Sequence, residues 1–398
     1  MAVKTNELSA ARVAQVLHRA YHTQMAVMIA GTIGIGKSQT VLAVAKELAE
    51  ENNRKLVIWN DVSREEKIRV MKDPSTFFVF GDVRLSQTDP SDMRGIPKMQ
   101  SELDACDWMP PMLIKTLSHS DAKGVLFYDE INLAPPSILA ACYQIVQDRQ
   151  SGEYRLNNDV LVCAAGNLTS DRAGVFTMPA PLRDRFMYAE MSKPTINNWT
   201  KWAEKNGIDT RVVSFLQFKP SRLYNFDGTD KSGAFSFPTP RSWAKVSSLI
   251  SPFRVPALSK KKEREETLDT LQILVAAKIG EGVAVEFVAF LDLQADFDLD
   301  DFVKNPHKVR VLKDAGPDKK WALISALADN YVFTNKYTVD QLFGVALELE
   351  AEFGIMLARL CRMHRNDKFI RDCVKSRNGA FKEFADQYKK YFTPSNIG

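Results

Sequence analysis

GTIGIGKS, residues 31–38, follows the apolar run MAVMIA (25–30) and leads into SQTVLAVAKELAEENN (38–53). The eight residues fit G-x-x-x-x-G-K-[ST]. Glycines there let backbone N–H groups curl around an anion, the lysine meets the outer phosphates, and the hydroxyl faces magnesium. Average residue usage gives a chance match in roughly 1% of chains of this size. The context narrows that further, since an apolar run precedes the loop and a helical pattern follows it, the order strand–loop–helix that a phosphate cradle requires. Gly31, Gly34, Gly36, Lys37, Ser38 and Gln39 are therefore the candidate nucleotide-binding residues, with ATP and Mg2+ as the expected ligands.

Working outward, apolar, β-branched or aromatic runs recur at FFVFGDVRL (77–85), GVLFYDE (124–130), DVLVCAAGN (159–167) and RFMYAEM (185–191), with helical patterns between several of them. Strands alternating with helices predict a mostly parallel sheet covered on both faces. SGEYRLNND (151–159) reads as a hairpin, and residues 8–22 as a helix capped near Ser9. After about residue 195 the strand signal fades into helical patterns. LSKKKEREET (258–267) reads as a charged junction. Thr338 and Gln341 have capping-box spacing, and Leu342, Val345, Leu349, Phe353, Met356, Leu360 and Met363 form one apolar helical stripe.

Composition narrows the function classes. The chain has 398 residues, 45% hydrophobic and 26% charged, with a net charge of +4. That suits a globular protein of two or three domains and neither demands nor excludes nucleic acid. Five cysteines without C-x-x-C spacing suit reduced, mostly buried thiols. No H-E-x-x-H pair supports a zinc hydrolase. No run of about 18 apolar residues exists to span a bilayer, and the N-terminal stretch lacks a signal-peptide core, so a cytoplasmic location is expected.

A phosphate cradle needs an acid on a neighbouring strand. VLFYDE ends in Asp129 and Glu130: Asp129 can hold the water shell of magnesium, and Glu130 can orient or deprotonate an attacking water. Two acids after a strand are also what an exposed turn carries. The next strand ends in CAAGN, where Asn167 can position the same water or simply make a turn.

Cradle, strand-borne acids and strand-end asparagine, in this order, resemble the AAA+ ATPases. RLSQTDPSDMRGIP (84–97), INLAPPSILAACYQIVQDRQSGEYRL (131–156), AAGNLTSDRAGVFTMPAPLRDRF (164–186) and FPTPRSW (237–243) resemble the MoxR-type branch, over roughly residues 20–330. AKIGEGVAVEFVAFL (277–291) is similar to the helical lid of that branch. The resemblance implies an α/β fold: a P-loop αβα sandwich with a parallel sheet at 1–195, a helical lid at 196–335 and a C-terminal helical extension at 336–398. It implies that Asn167 is a phosphate sensor and that Arg185, in PLRDRF, reaches into a neighbouring subunit's site, with Arg183 ranked second. A surface salt bridge is the plain alternative for both. Arg241 matches the lid-borne sensor arginine; a cation in a helix's first turn opposes the dipole, which an anionic ligand would offset. The stretch 92–113, with Met99, Trp108 and Met109, and Tyr154 and Arg155 of the hairpin match pore-facing elements, although burial against the subunit would use the same residues. KSRNGAFKEFADQYKKYF, at the C-terminal end, mixes cations with aromatics and reads as a solvated amphipathic helix or a partner-binding one.

The resemblance implies Mg2+-dependent ATP hydrolysis in a homo-hexameric ring that remodels or assembles a client protein, such as one with a von Willebrand A domain. A nucleic-acid motor of the same superclade would need basic pore loops, for which Lys98 and Arg155 are the only obvious residues. A nucleotide-gated structural subunit with little turnover fits less well with both acids intact, and a small-molecule kinase needs no arginine in trans.

Overall fold

The computed structural model describes residues 7–100, 105–168, 178–226, 235–256, 258–376 and 379–389. Two compact units meet in sequence at Pro194 and Thr195. The first runs α1 (Ala10–Thr23), β1 (Ala26–Ala30), α2 (Lys37–Glu51), β2 (Lys55–Ile58), α3 (Arg64–Lys72), β3 (Phe77–Arg84), α4 (Pro90–Arg94), β4 (Ile96–Gln100), β5 (Ala105–Met109), α5 (Met112–Leu117), β6 (Lys123–Asp129), α6 (Pro136–Asp148), β7 (Gln150–Ser151), β8 (Tyr154–Arg155), β9 (Val160–Gly166), α7 (Ala180–Arg183) and β10 (Phe186–Glu190).

Among the described residues, six strands form one sheet in the order β10-β1-β9-β6-β3-β2, every pair parallel. Every residue of β1 and β9 is buried, which is why both read as unbroken apolar runs: a parallel sheet is covered on both faces. The pairing Ala30↔Gly166, Tyr128↔Ala164 and Arg84↔Asp129 brings the carboxyl ends of β1, β9, β6 and β3 level. In open α/β sheets ligands bind beyond that edge. This is an α/β unit built on a parallel sheet with a glycine loop at its carboxyl edge, and helices follow it. Ser9 caps α1 by accepting from the Arg12 N–H at 3.4 Å, and Val13, Leu17, Ala20 and Tyr21 are its buried face.

Two features depart from the sequence expectations for this unit. β2 adds a strand that the apolar-run reading does not find, because only Val57 of its four residues is buried. The stretch 92–113 holds the antiparallel pair β4–β5, in register Ile96↔Met109 and Lys98↔Asp107, with Ile96, Met99, Trp108 and Met109 exposed. Residues 101–104 of that stretch, and 169–177 of the motif at 164–186, lie outside the described residues. Tyr154 and Arg155 form β8, and the hairpin is tied down where the Ser151 hydroxyl donates to the Met93 carbonyl at 2.6 Å.

The second unit is helical. Phe215 meets Trp243, Phe287 and Phe290 at ring-centroid distances of 5.6, 5.1 and 5.7 Å. Its apolar core runs without a break from Trp199 to Phe384. No division falls at residue 335: Tyr331 packs on Phe369 at 6.1 Å and Phe343 on Phe384 at 5.2 Å, so the segment assigned to a C-terminal extension shares the core of the segment before it. The charged stretch 258–267 is no junction either, since most of it opens the helix Lys261–Ile279. Arg264 is buried there, donating to Asp292 at 2.7 Å and Asp296 at 2.6 Å. Thr338 and Gln341 form a capping box, but the stripe they begin is carried by two helices, Val339–Ala346 and Ala351–Lys375, because the chain turns extended at Glu350. The last amphipathic pattern forms Ala380–Gln387, with Phe384 buried; residues 377–378 and 390–398 are outside the description. Among the described residues no helix is long and apolar enough to cross a membrane.

Candidate nucleotide site at the carboxyl edge of the sheet

The glycine loop joins β1 to α2 and is shaped by its glycines. Gly34 and Gly36 have φ of 74° and 101°, in the left-handed region that side chains disfavour. Gly31 is needed for space instead: a Cβ there would sit 2.8 Å from Ile35 Cδ1 and 3.0 Å from the Met191 carbonyl oxygen. α2 starts at Gly36 with no side chain capping it. Uncapped N–H groups at a helix start, with the dipole behind them, favour an anion. Lys37 is buried, and its ammonium donates to the Gly31 and Thr32 carbonyls at 2.7 and 3.0 Å and to Asn167 Oδ1 at 3.0 Å. Gln39, in the same first turn of α2, is exposed.

Ser38 and Asp129 come together across α2 and β6, the serine hydroxyl donating to Asp129 Oδ2 at 2.7 Å. A hydroxyl beside a carboxylate is an oxygen-only donor set, the chemistry a hard divalent cation such as Mg2+ takes. A buried oxygen nearby points the same way: Asp82 Oδ1 on β3 has no hydrogen-bond partner. Burial first, then the charge of Asp129, pushes the Asp82 carboxyl above its usual range. Glu130 has φ 56°, uncommon for a residue with a side chain. Its Oε2 accepts from the Ser86 hydroxyl at 2.7 Å, so the strand-end turn and a residue two past the end of β3 together fix where this carboxylate stands.

Asn167 directly follows β9 beside Lys37, and Asn132 holds it there. Asn132 Nδ2 donates to the Asn167 carbonyl at 2.6 Å, and Asn132 Oδ1 accepts from the Asn167 N–H at 3.2 Å. Gly166 allows the approach, since a Cβ there would lie 2.8 Å from Asn132 Oδ1. Asp82, Ser86 and Asn132 were not among the sequence candidates. Only Asn132 carried a signal, a polar residue inside an otherwise apolar stretch directly after the two acids.

The three arginines are placed differently. Arg185 stacks over the Tyr143 ring of α6 at 4.7 Å, and its Nε donates to Gln147 Oε1 at 2.7 Å. Arg183 is exposed at the end of α7. Neither is among the observed partners of the Ser38–Asp129 cluster. Arg241 belongs to the second unit, exposed in the first turn of the helix Pro240–Ile250, which Thr239 caps. The structure thus brings together Lys37, Ser38, Asp129, Glu130 and Asn167 at one sheet edge.

No protein-family profile matches the chain and no curated protein matches it. Solved structures that align with it include a RuvB mutant from Thermotoga maritima (15% identity, 81% of this chain, 82% of that one, TM-score 0.33). NtrX from Brucella abortus aligns at 14% identity over 91% of this chain and 69% of that one (TM-score 0.35). The same protein in complex with ADP aligns at 17% identity over 72% and 66% (TM-score 0.30). Alignments at these identities and TM-scores say nothing of what this chain does.

Proposed function

We propose that the chain is a Mg2+-dependent ATPase of the AAA+ type, working as a homo-hexameric ring that remodels or assembles a client protein. The observation that carries the reading is the convergence at one glycine loop of Lys37 and Ser38 from the first turn of α2, Asp129 from the end of β6 and Asn167 from just past β9. With a nucleotide present, the Lys37 ammonium donates to phosphate oxygens in place of the loop's own carbonyls. Ser38 Oγ and Asp129 are the residues that would hold Mg2+, directly or through its water, and the ion when bound draws off charge developing on the transferred phosphoryl. Glu130 takes the proton of the attacking water on its carboxylate, and Asn167 Oδ1 orients that water.

Arg185 supports the ring. Its guanidinium is supplied, in this reading, to the site of a second copy, where it neutralises transition-state charge. Arg241 senses the phosphate from the helical unit. The MoxR-type motifs favour a protein client, of which a von Willebrand A domain protein is the leading class, over nucleic acid. Calorimetry with ADP and Mg2+ tests the core of the proposal. Lys37→Ala should weaken binding by at least about 100-fold, the cost of removing one partner from a buried charged contact. Unchanged affinity in a folded variant overturns it.

A further inference from the structure

Asp82 has no role in the reaction just described, yet the fold delivers it to the same place. A cavity of about 630 Å³ opens beside Ser38, lined among others by Asn60, Asp61, Asp82 and Arg84. Side chains alternate along a strand, so residues two apart share a face. Phe80 of β3 and Phe127 of β6 stack with ring centroids 6.1 Å apart. Asp82 and Asp129 are the next residues on that same face, and the Ser38 hydroxyl holds Asp129 there. The strand register, Asp82↔Phe127 and Arg84↔Asp129, makes Asp82 the diagonal neighbour of Asp129. Asn60 Nδ2 donates to the Asp82 carbonyl at 2.6 Å and fixes the backbone.

One carboxylate oxygen of Asp82 is buried without a partner. Burying such an atom costs free energy unless something donates to it. Among the described residues Asp82 has no ion pair, and of the charges that act on its carboxyl three are acids, Asp129, Glu130 and Asp61, against one cation, Arg84. The missing partner is therefore a donor that is itself drawn to clustered negative charge. A water bound to a divalent cation is such a donor, and Mg2+ keeps several of its waters when protein-bound. The cavity beside Ser38 has room for them.

We propose that Asp82 is a positioning residue for the metal, its Oδ1 accepting from a water of the Mg2+ shell. The proposal rests on the nucleotide reading above. Its test is the ratio of ADP affinity with Mg2+ to that in EDTA, measured by calorimetry on the full chain, together with Mn2+ bound in the presence of ADP, read by electron paramagnetic resonance. Wild type should show a clear metal-dependent gain. Asp82→Asn, matched in size, should lower that gain and the bound Mn2+ affinity by about tenfold, the usual cost of losing an outer-shell partner. ADP affinity in EDTA should stay within about twofold. Asp82→Ser, should Asp82→Asn fold poorly, should show the same loss. Asp61→Asn, on the same cavity but exposed, should leave the ratio unchanged. An unchanged ratio in folded Asp82 variants overturns the proposal. An equal loss in Asp61→Asn also overturns it, because the effect would then be a diffuse field. Wild type without ADP affinity would instead refute the nucleotide reading beneath it.

Discussion

In the second unit the Arg211 guanidinium, 3% exposed, donates to both oxygens of Asp209 at 2.7 and 2.9 Å and to the Ile250 and Phe253 carbonyls at 2.9 and 2.8 Å. At the sheet edge of the first unit, Asp82, Asp129 and Glu130 stand near one another instead, and one oxygen of Asp82 has no donor. Both arrangements remove charge from water. The first closes it with fixed partners of opposite sign, and burial, which alone would lower the Arg211 pKa, is outweighed by the Asp209 bonds that raise it. The second gathers acids in excess of the nearby Arg84 and leaves one Asp82 oxygen without a donor, a state that a folded chain tolerates where a mobile cation arrives later. Lys320 repeats the closed pattern in the second unit, bonding Glu350 at 2.6 Å and the Lys313 carbonyl at 2.9 Å. Closed charge organises a core, and open charge marks where a ligand completes the balance.

The comparison breaks most visibly at Arg185, whose observed partners, Tyr143, Gln147 and Pro181, belong to its own chain and not to the acid cluster. If it serves a neighbouring copy, Arg185→Ala should lower kcat by about 10³–10⁵ while ADP affinity holds. Mixing Arg185→Ala with Lys37→Ala subunits should restore part of the rate, since each supplies what the other lacks. Co-assembled mixtures that stay inactive would refute action in trans, and a monomer turning over at full rate would refute the ring.

Glu130 sharpens the comparison from inside the site. Its left-handed backbone and the Ser86 hydroxyl fix where its carboxylate stands. Glu130→Gln keeps the size and can still meet Ser86, but it cannot take a proton. Turnover should fall about 10²–10⁴-fold with nucleotide affinity within about twofold. Retained hydrolysis would remove Glu130 from the reaction.

Much of this was legible in the sequence because it depends on residues close together in the chain. The phosphate loop reads from eight residues, and the buried strands β1, β6 and β9 read from apolar runs that a doubly covered sheet demands. Ser38 could be proposed from the glycine-loop motif, and Asp129 and Asn167 as its partners only because each closes such a run. Asp82 and Ser86 could not, since their roles follow from the register of β3 against β6 and from a turn bringing a hydroxyl back across 44 positions. The helix break at Glu350 was hidden because the residue that turns extended there is an ordinary helix former, whereas the break at Gly280 has a local cause, a glycine at φ 86°. The charged run at 258–267 misled because Arg264 finds its acids at Asp292 and Asp296, a pairing invisible in local composition.

The smallest effect lies in the closed network, where the variant probes stability alone. Asp209 caps the helix Thr210–Phe218 by accepting from the Arg211 N–H at 2.9 Å, and its own N–H donates to Ser247 Oγ at 2.8 Å. Asp209→Asn keeps the shape and the cap but removes the charge that balances Arg211. Breaking one side of a buried pair leaves the other uncompensated, so the second unit should lose about 3 kcal/mol. Urea unfolding should show this as a lower midpoint for one of two transitions, with its slope unchanged. ADP affinity measured without denaturant should match wild type, because the substituted charge belongs to the core and not to the acid cluster. A loss under about 1 kcal/mol would mean that the paired guanidinium is no better balanced than the orphaned carboxylate, and the contrast between the two units would fail.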